Sequence, residues 1–425
     1  MKMKIKILLA HPITPDKDSI VSLFWKNVIP QLEKYFDVEV FWLTYTNQKL
    51  KQSEKIHSSY KILDIHDYQN ALEIITEIGP NIIMANPIPN PIEYSVLLSG
   101  KYLKIPTIGI IDTEIDNKHI PIQNIFLTFK NIFYSSTESN TNFIKKIKFI
   151  LYKSKFLMKT QNGIGINFLN QWYDFFHILK MNLIDSEYPL YSKFSSDINF
   201  LDNKRNRLKL LTKGFLEKNI IVTGSPLYDK AFKLKKREKV SNAKIQVLLI
   251  TANYYSHGFF SEKEQNNAIK LIVTTISKDS RLNLEIKIHP SSESISNYKQ
   301  LLKKDLHLIK IYQKEDILEV IAKSDIILAI GDTSALHTAI IFEKPIIFCD
   351  FFGHRITKLI DKKMALECTN TQKLIPMILE LIQKPMTTKK QYEEFFIENY
   401  FLSDGNASYR IADKLRNLIN NKRNN

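Results

Sequence analysis

Short apolar runs alternate along the chain with longer stretches in which apolar positions recur every three or four residues. This alternation predicts strand and helix in turn, in the manner of a parallel α/β protein. The first half predicts strands at Lys4–Ala10, Val38–Leu43, Ile82–Met84, Thr107–Ile111 and Ile132–Tyr134, with helices such as Ser19–Tyr35 and Tyr68–Ile78 between them. The second half repeats the rhythm at Gln246–Thr251, Leu284–His289, Leu308–Ile311, Ile326–Ala329 and Pro345–Cys349. Two tandem series of βα repeats predict two Rossmann-like domains with parallel sheets, and the polar stretch Lys233–Lys244 reads as their connection, with a boundary near residue 235. A domain over 1–235 and a second over 236–425 follow, with the last helix packing back on the first domain. Residues 141–218 offer few strand signals and read as helices lining the cleft.

Length and composition agree with this picture. A chain of 425 residues exceeds the size at which one core stops growing, and 44% hydrophobic with 24% charged residues is ordinary globular usage. Two cysteines, Cys349 and Cys368, make neither a disulfide framework nor a four-ligand zinc site, which points to a reducing compartment such as the cytoplasm. The N-terminal run from Met1 to Ala10 is followed too soon by Pro12, Pro15 and Asp16 to be a signal peptide and reads as a first strand. No run reaches the ~20 apolar residues of a membrane helix, so membrane contact is expected only at the periphery.

Sixty Lys and Arg against 44 Asp and Glu give a net charge of +16, which suits anionic partners. No nucleic-acid signature accompanies the lysines, so phosphorylated small molecules fit better than nucleic acid. Asn142–Met158 interleaves Lys with Phe, Ile, Leu and Tyr. That pattern fits a helix packed on its own sheet with lysines in water, the favoured reading, and also a basic helix lying on an anionic bilayer at the inner face of the cell membrane.

Ligands of open parallel sheets bind beyond the carboxyl ends of the strands, so the residues after each apolar run carry the chemistry. Lys287-Ile288-His289-Pro290 ends one strand: Lys287 adds positive charge and His289 a hydrogen-bond donor for a diphosphate, although a lone His after a strand is more often an ordinary surface residue. Gly331-Asp332-Thr333-Ser334 joins a strand to a helix whose first amides can cradle phosphate, or is a plain helix cap. Gly224-Ser225 after Ile220–Thr223, and Thr251 after Gln246–Ile250, are further candidates for donor contact. Neither a Walker loop nor a GxGxxG is present, which argues against an ATPase or a dinucleotide enzyme.

Taken in order, VTGSPLYD, IKIHPSS, SDIILAIGDTSALHTAIIFEKPIIF and DGNASYRIADKL resemble the donor half of GT-B glycosyltransferases over 220–415. Within that group they are most similar to the branch of bacterial sialyl- and polysialyltransferases, CDP-glycerol glycerophosphotransferases and surface-polysaccharide enzymes. Before residue 220 only the strand rhythm matches. The resemblance implies two domains facing a central cleft, a nucleotide-activated sugar as donor, and a glycan or lipid-linked acceptor. It also implies donor phosphate contacts at His289, Thr333 and Ser334, and catalysis without a metal or other cofactor. The base that takes the acceptor proton is expected from the first domain, at Asp112 or Glu114, with His11 close behind. Non-hydrolysing UDP-N-acetylglucosamine 2-epimerases share the fold, but carry a Gly pair and a downstream Glu at the turn where this chain has Thr333-Ser334-Ala335, followed by His337 and Thr338. A glycosyltransferase is thus the leading expectation, with a sugar epimerase and a catalytically silent nucleotide-binding scaffold as alternatives.

Overall fold

A computed structural model describes residues 2–12, 14–15, 20–46, 49–55, 57, 59–86, 90–111, 151–183, 195–235, 243–251, 261–289, 293–303, 309–331, 333–353 and 359–424. The chain forms two compact units. The first comprises Met1–Leu227, Glu398–Leu402 and Asn406–Asn425; the second comprises Tyr228–Ile397 and Ser403–Gly405.

The first unit is built on seven strands: β1 (Met3–His11), β2 (Phe36–Thr44), β3 (Lys61–Asp64), β4 (Ile82–Met84), β5 (Thr107–Ile111), β6 (Ile198–Leu201) and β7 (Ile220–Val222). They lie in the order β3-β2-β1-β4-β5-β6-β7, every pair parallel. Side chains alternate across β1 as the pleat demands. Ile5, Ile7 and Leu9 pack with Phe24, Trp25 and Val28 of the helix Ile20–Leu32, and with Ile411, Ala412 and Leu415 of the helix Ala407–Asn424. Leu8 and Ala10 face the opposite layer, against Ile74 and Ile75, Val96 and Leu97, and Phe156.

The second unit holds β8 (Ile245–Ile250), β9 (Leu282–Lys287), β10 (Lys310–Tyr312), β11 (Ile326–Ala329), β12 (Ile346–Cys349) and β13 (Leu366–Cys368). Their order is β10-β9-β8-β11-β12-β13, again parallel throughout. Val247, Leu249, Leu284 and Ile286 bury one face beneath Ile269, Ile272 and Val273 of the helix Glu262–Ile276. Both thiols are free and buried, Cys349 beside Cys368 in register on neighbouring strands.

The predicted strands that fall within the described residues are strands; Ile132–Tyr134 lies outside them. Three strands escape the periodicity. β3 and β13 are short edge strands with charged residues, Lys61 and Glu367, turned outward or half-exposed. β6 has a buried Asn199 at its centre, whose Nδ2 donates to Ser195 Oγ, Ser196 O and Asn219 O at 3.0–3.2 Å. Within 141–218, residues 151–163, Phe168–Leu183 and Lys204–Thr212 are helical.

The boundary falls at Leu227/Tyr228, eight residues before the predicted one. The helix Asp229–Lys235, polar in sequence, buries Ala231 and Phe232, and its Phe232 ring meets Phe396 edge-on at 6.0 Å. Lys230 pairs with Asp316, and Lys235 with Glu343 at 2.5 Å. These contacts attach the segment to the second unit.

Candidate functional site

Both sheets reverse their strand order once, between β1 and β4 in the first and between β8 and β11 in the second. Such switch points open a crevice beyond the carboxyl ends of the strands and are where ligands of this architecture bind. In the second unit, register aligns Ala329 with Ile250 and Ile250 with Lys287, so the residues that follow these strands emerge side by side. Those residues are Thr251 after β8, Ile288 and His289 after β9, and Ile330, Gly331 and Thr333 after β11. The structure thus brings together Thr251, Lys287, His289, Thr333 and Ser334 at one sheet edge. Pro290 and Asp332 lie outside the described residues.

This edge is organised by a residue that the sequence patterns miss. Glu293 accepts from Thr251 Oγ1 at 2.7 Å, Gln265 Nε2 at 3.1 Å, the His289 amide at 2.6 Å and Tyr298 OH at 2.6 Å. Its own carbonyl accepts from Gln313 Nε2 at 2.7 Å. Thr251, Gln265 and Tyr298 are buried, so each needs a partner there, and one carboxylate serves all three. Burial and the adjacent carboxylate push the Tyr298 phenol well up, which keeps it a neutral donor. The His289 amide is thereby tied to Glu293, with His289 exposed at the edge.

Lys287 is buried, and burial lowers its ammonium pKa. Its Nζ donates to Ile288 O at 3.1 Å and Gln313 O at 2.8 Å, so this lysine brackets the ends of β9 and β10 as well as adding charge. After β11, Thr333 is the N-cap of the helix Ser334–Ile341, its Oγ1 accepting from the Ala335 amide at 3.4 Å. Gly331 is buried and Ser334 exposed. A helix start at a switch point offers amide donors and a positive dipole end to an anion. His337, one turn in, lies 6.3 Å from the Phe395 ring.

Gly224 and Ser225 belong to the first unit. Gly224 has φ +80°, and a Cβ there would stand 3.2 Å from Tyr400 O and 3.3 Å from Arg410 Nη2. Arg410 Nε donates to Thr223 O at 2.8 Å, and Ser225 Oγ accepts from the Leu227 amide at 3.3 Å. The Gly turn therefore admits the returning C-terminal segment.

In the first unit, His11 closes β1 at the switch point, buried, with its ring edge-on to Trp42 at 5.8 Å. Asp112 and Glu114 lie outside the described residues. The same edge holds a buried ionisable cluster that periodicity conceals. Glu93 sits fully buried on the helix Pro91–Tyr102; it accepts from the Asn86 amide at 2.5 Å and from Tyr45 OH. Burial raises Glu93 to about 8. Burial likewise lowers Lys153 to about 8, and Lys153 Nζ lies 5.4 Å from the Tyr45 ring centroid. One lysine of the stretch read as solvated or lipid-facing thus turns inward. Perturbed groups at a sheet's ligand edge are where acid–base chemistry is usually found. The only sequence signal was a carboxylate at a buried position of an apolar helix.

Among the described residues no three His, Cys, Asp or Glu gather as a metal site, and no helix is long and apolar enough to cross a membrane.

Known proteins place this architecture. The chain is similar over 98% of its length, at 14% identity and TM-score 0.54, to the whole of a UDP-GlcNAc 2-epimerase from Neisseria meningitidis bound to UDP-GlcNAc. The UDP-GlcNAc 2-epimerase of Methanocaldococcus jannaschii matches 97% of the chain over 99% of its own, at 14% identity and TM-score 0.52. The glycotransferase of kitacinnamycin matches 98% over 99% of its own, at 11% identity and TM-score 0.53. No curated protein matches the chain. The fold is the GT-B fold that epimerases and glycosyltransferases share. The family model for UDP-N-acetylglucosamine 2-epimerase matches residues 191–416, more than half of the chain and including the β8, β9 and β11 edge. By that match the chain belongs to the UDP-N-acetylglucosamine 2-epimerase family.

Proposed function

We propose that the chain processes a UDP-activated N-acetylhexosamine, and that its reaction is epimerisation at C2 of the sugar. The family match over 191–416 carries the reading, because it spans the strand ends at which Thr251, His289 and Thr333 meet. The C2 proton of such a sugar is not acidic while the anomeric C–O bond is intact. Departure of the diphosphate with the bonding pair makes C1 electron-poor, and a base can then take the C2 proton to leave a C1–C2 double bond. Returning a proton to C2 from the other face and the diphosphate oxygen to C1 completes the inversion. The departing diphosphate is the group to be stabilised, and helix amides with nearby cationic side chains do that best when they are held in advance. His289, Thr333 and Ser334 are assigned to it, with Lys287 adding charge. The base is assigned to the first unit, among His11, Asp112 and Glu114.

Glycosyl transfer is the second reading. It breaks the same bond but sends an acceptor hydroxyl to C1. The turn Thr333-Ser334-Ala335, with His337 in the following helix, favours it, since the epimerases have a Gly pair and a Glu there. Incubation with UDP-GlcNAc in D₂O separates the two. Epimerisation puts deuterium at C2 and produces a second anomeric signal by NMR without any acceptor. Release of UDP only when a glycan or lipid-linked acceptor is present, with no exchange at C2, selects transfer. A thermal-shift screen against UDP, GDP, CMP and CDP tests the uridine assignment independently.

A further inference from the structure

The first half of the helix Phe168–Leu183 turns polar side chains inward and apolar ones outward. Two of its inward positions are polar, Gln171 and Asp174, both buried, while Ile178 one turn on packs with Tyr94 and Leu157. Asp174 Oδ2 accepts from Tyr94 OH at 3.2 Å and Gln161 Nε2 at 2.8 Å, while Gln171 Nε2 donates to Asn162 Oδ1 at 2.6 Å and Ile166 O at 2.8 Å. Its outward positions are apolar and aromatic. Phe168, Leu169, Tyr173 and Phe176 are 58–80% exposed and Trp172 36%, at spacings that put them on one face. Trp172 stacks on Phe176 at 5.5 Å and meets Phe168 edge-on at 5.8 Å, which makes the row continuous.

The preceding helix, residues 151–163, is tied to this one by the Gln161–Asp174 and Asn162–Gln171 bonds. Its outward stripe is Leu151, Lys155 and Lys159, all exposed. A face of Phe, Trp, Tyr and Leu beside a lysine stripe, in a chain of net charge +16, matches a bilayer interface with anionic headgroups. Water leaves five large apolar side chains on one helix unrewarded, whereas aromatic rings with polar edges are stable at headgroup depth.

We propose that the helix pair 151–183 docks on an anionic lipid surface, with Phe168, Leu169, Trp172, Tyr173 and Phe176 entering the interface and Lys155 and Lys159 meeting the headgroups. This docking is independent of the sugar chemistry and places the enzyme beside membrane-borne material.

Trp172 supplies the test. Trp25 and Trp42 are 1% and 0% exposed, so a lipid-dependent change in tryptophan emission reports Trp172. The full chain is mixed with vesicles of phosphatidylcholine, or of phosphatidylcholine with phosphatidylglycerol, and followed by co-sedimentation and fluorescence. The mixed vesicles are expected to sediment the protein and shift Trp172 emission to the blue. Lys155→Glu with Lys159→Glu lowers that partitioning by about 25-fold or more, each basic residue near such a surface being worth about fivefold. Leu169→Ser with Phe176→Ser abolishes it, and Phe168→Ser with Tyr173→Ser gives a second, independent pair, far-UV circular dichroism confirming the fold of each. Equal binding to both vesicle types, or emission unchanged by lipid, overturns the proposal. So does a dimer in solution that the serine pairs split without any vesicle binding, which assigns the face to a second copy of the chain.

Discussion

Thr251 Oγ1 donates a 2.7 Å hydrogen bond to Glu293, linking the end of β8 to the turn beyond β9 through a residue that lies in neither strand. Because the His289 amide and the Gln265 and Tyr298 side chains share that carboxylate, its removal takes an acceptor from four donors at once. Glu293→Ala is expected to destabilise the second unit by about 2–4 kcal/mol, since an unpaired buried donor costs about 1–3 kcal/mol and the site relaxes in part. Glu293→Gln costs less, because the Gln265 amide can turn its oxygen toward the new NH₂ while the remaining oxygen serves the His289 amide. Urea midpoints that rank the two substitutions equally contradict this account.

The helix start after β11 is expected to hold diphosphate. Thr333→Ala removes the N-cap, which costs the helix roughly 1 kcal/mol. If the diphosphate rests on the same turn, UDP affinity by calorimetry falls about tenfold, in line with the loss of one charge-assisted contact. A loss of stability with unchanged UDP affinity confines Thr333 to capping.

Glu93 makes stability depend on pH in a direction opposite to the usual carboxylate. Its folded pKa is raised to about 8 by burial, far above that of an exposed glutamate, so from roughly pH 4.5 to 8 the folded state holds the extra proton. Stability is therefore fullest below that window and declines as pH rises through it. Lys153, lowered to about 8 by burial, acts in the next window: its buried charge costs stability below pH 8, and that cost is relieved between about 8 and 10.5. Tyr45 and the Asn86 amide are the other groups bonded to the Glu93 carboxyl. Glu93→Gln is expected to flatten the decline between pH 5 and 8, measured as the urea midpoint; an unchanged slope shows that Glu93 does not carry it.

Gly224→Ala meets both strain and crowding, with φ at +80° and Tyr400 O at 3.2 Å from the new Cβ. A cost of about 1–3 kcal/mol is expected. Circular dichroism melts of this variant beside Gly79→Ala isolate the crowding, since Gly79 has φ +60° with open space around it.

Much of this architecture can be read from residue patterns, because buried parallel strands are unbroken apolar runs. Leu8 and Leu9 show why: they point to opposite layers, yet both must be apolar. The exceptions are physical ones. β6 hides because a polar side chain, Asn199, occupies a core position, its amide NH₂ held by Ser195, Ser196 and Asn219, which no periodicity registers. At the candidate site, Thr251 and His289 are legible because they directly follow apolar runs, and Thr333 because it follows one across a Gly turn into a helix. Glu293 and Glu93 are not, because their importance lies in donors gathered from distant parts of the chain. The turn at Gly224 is legible as a turn, while its closeness to Tyr400 and Arg410 is not, for the same reason.

The helix Ala407–Asn424 supplies Ile411, Ala412, Leu415 and Ile419 to the core beneath β1. Ribosomal synthesis delivers β1 early and these four side chains roughly four hundred residues later, after the whole second unit has emerged. A nascent chain must therefore carry the part of that face not covered by the helix Ile20–Leu32 exposed until then, and exposed apolar surface invites aggregation or chaperone capture. Maturation of the first unit is thus timed by completion of the second, and nonsense mutations upstream of residue 407 should yield products cleared by quality control even when every residue at the second unit's sheet edge is present.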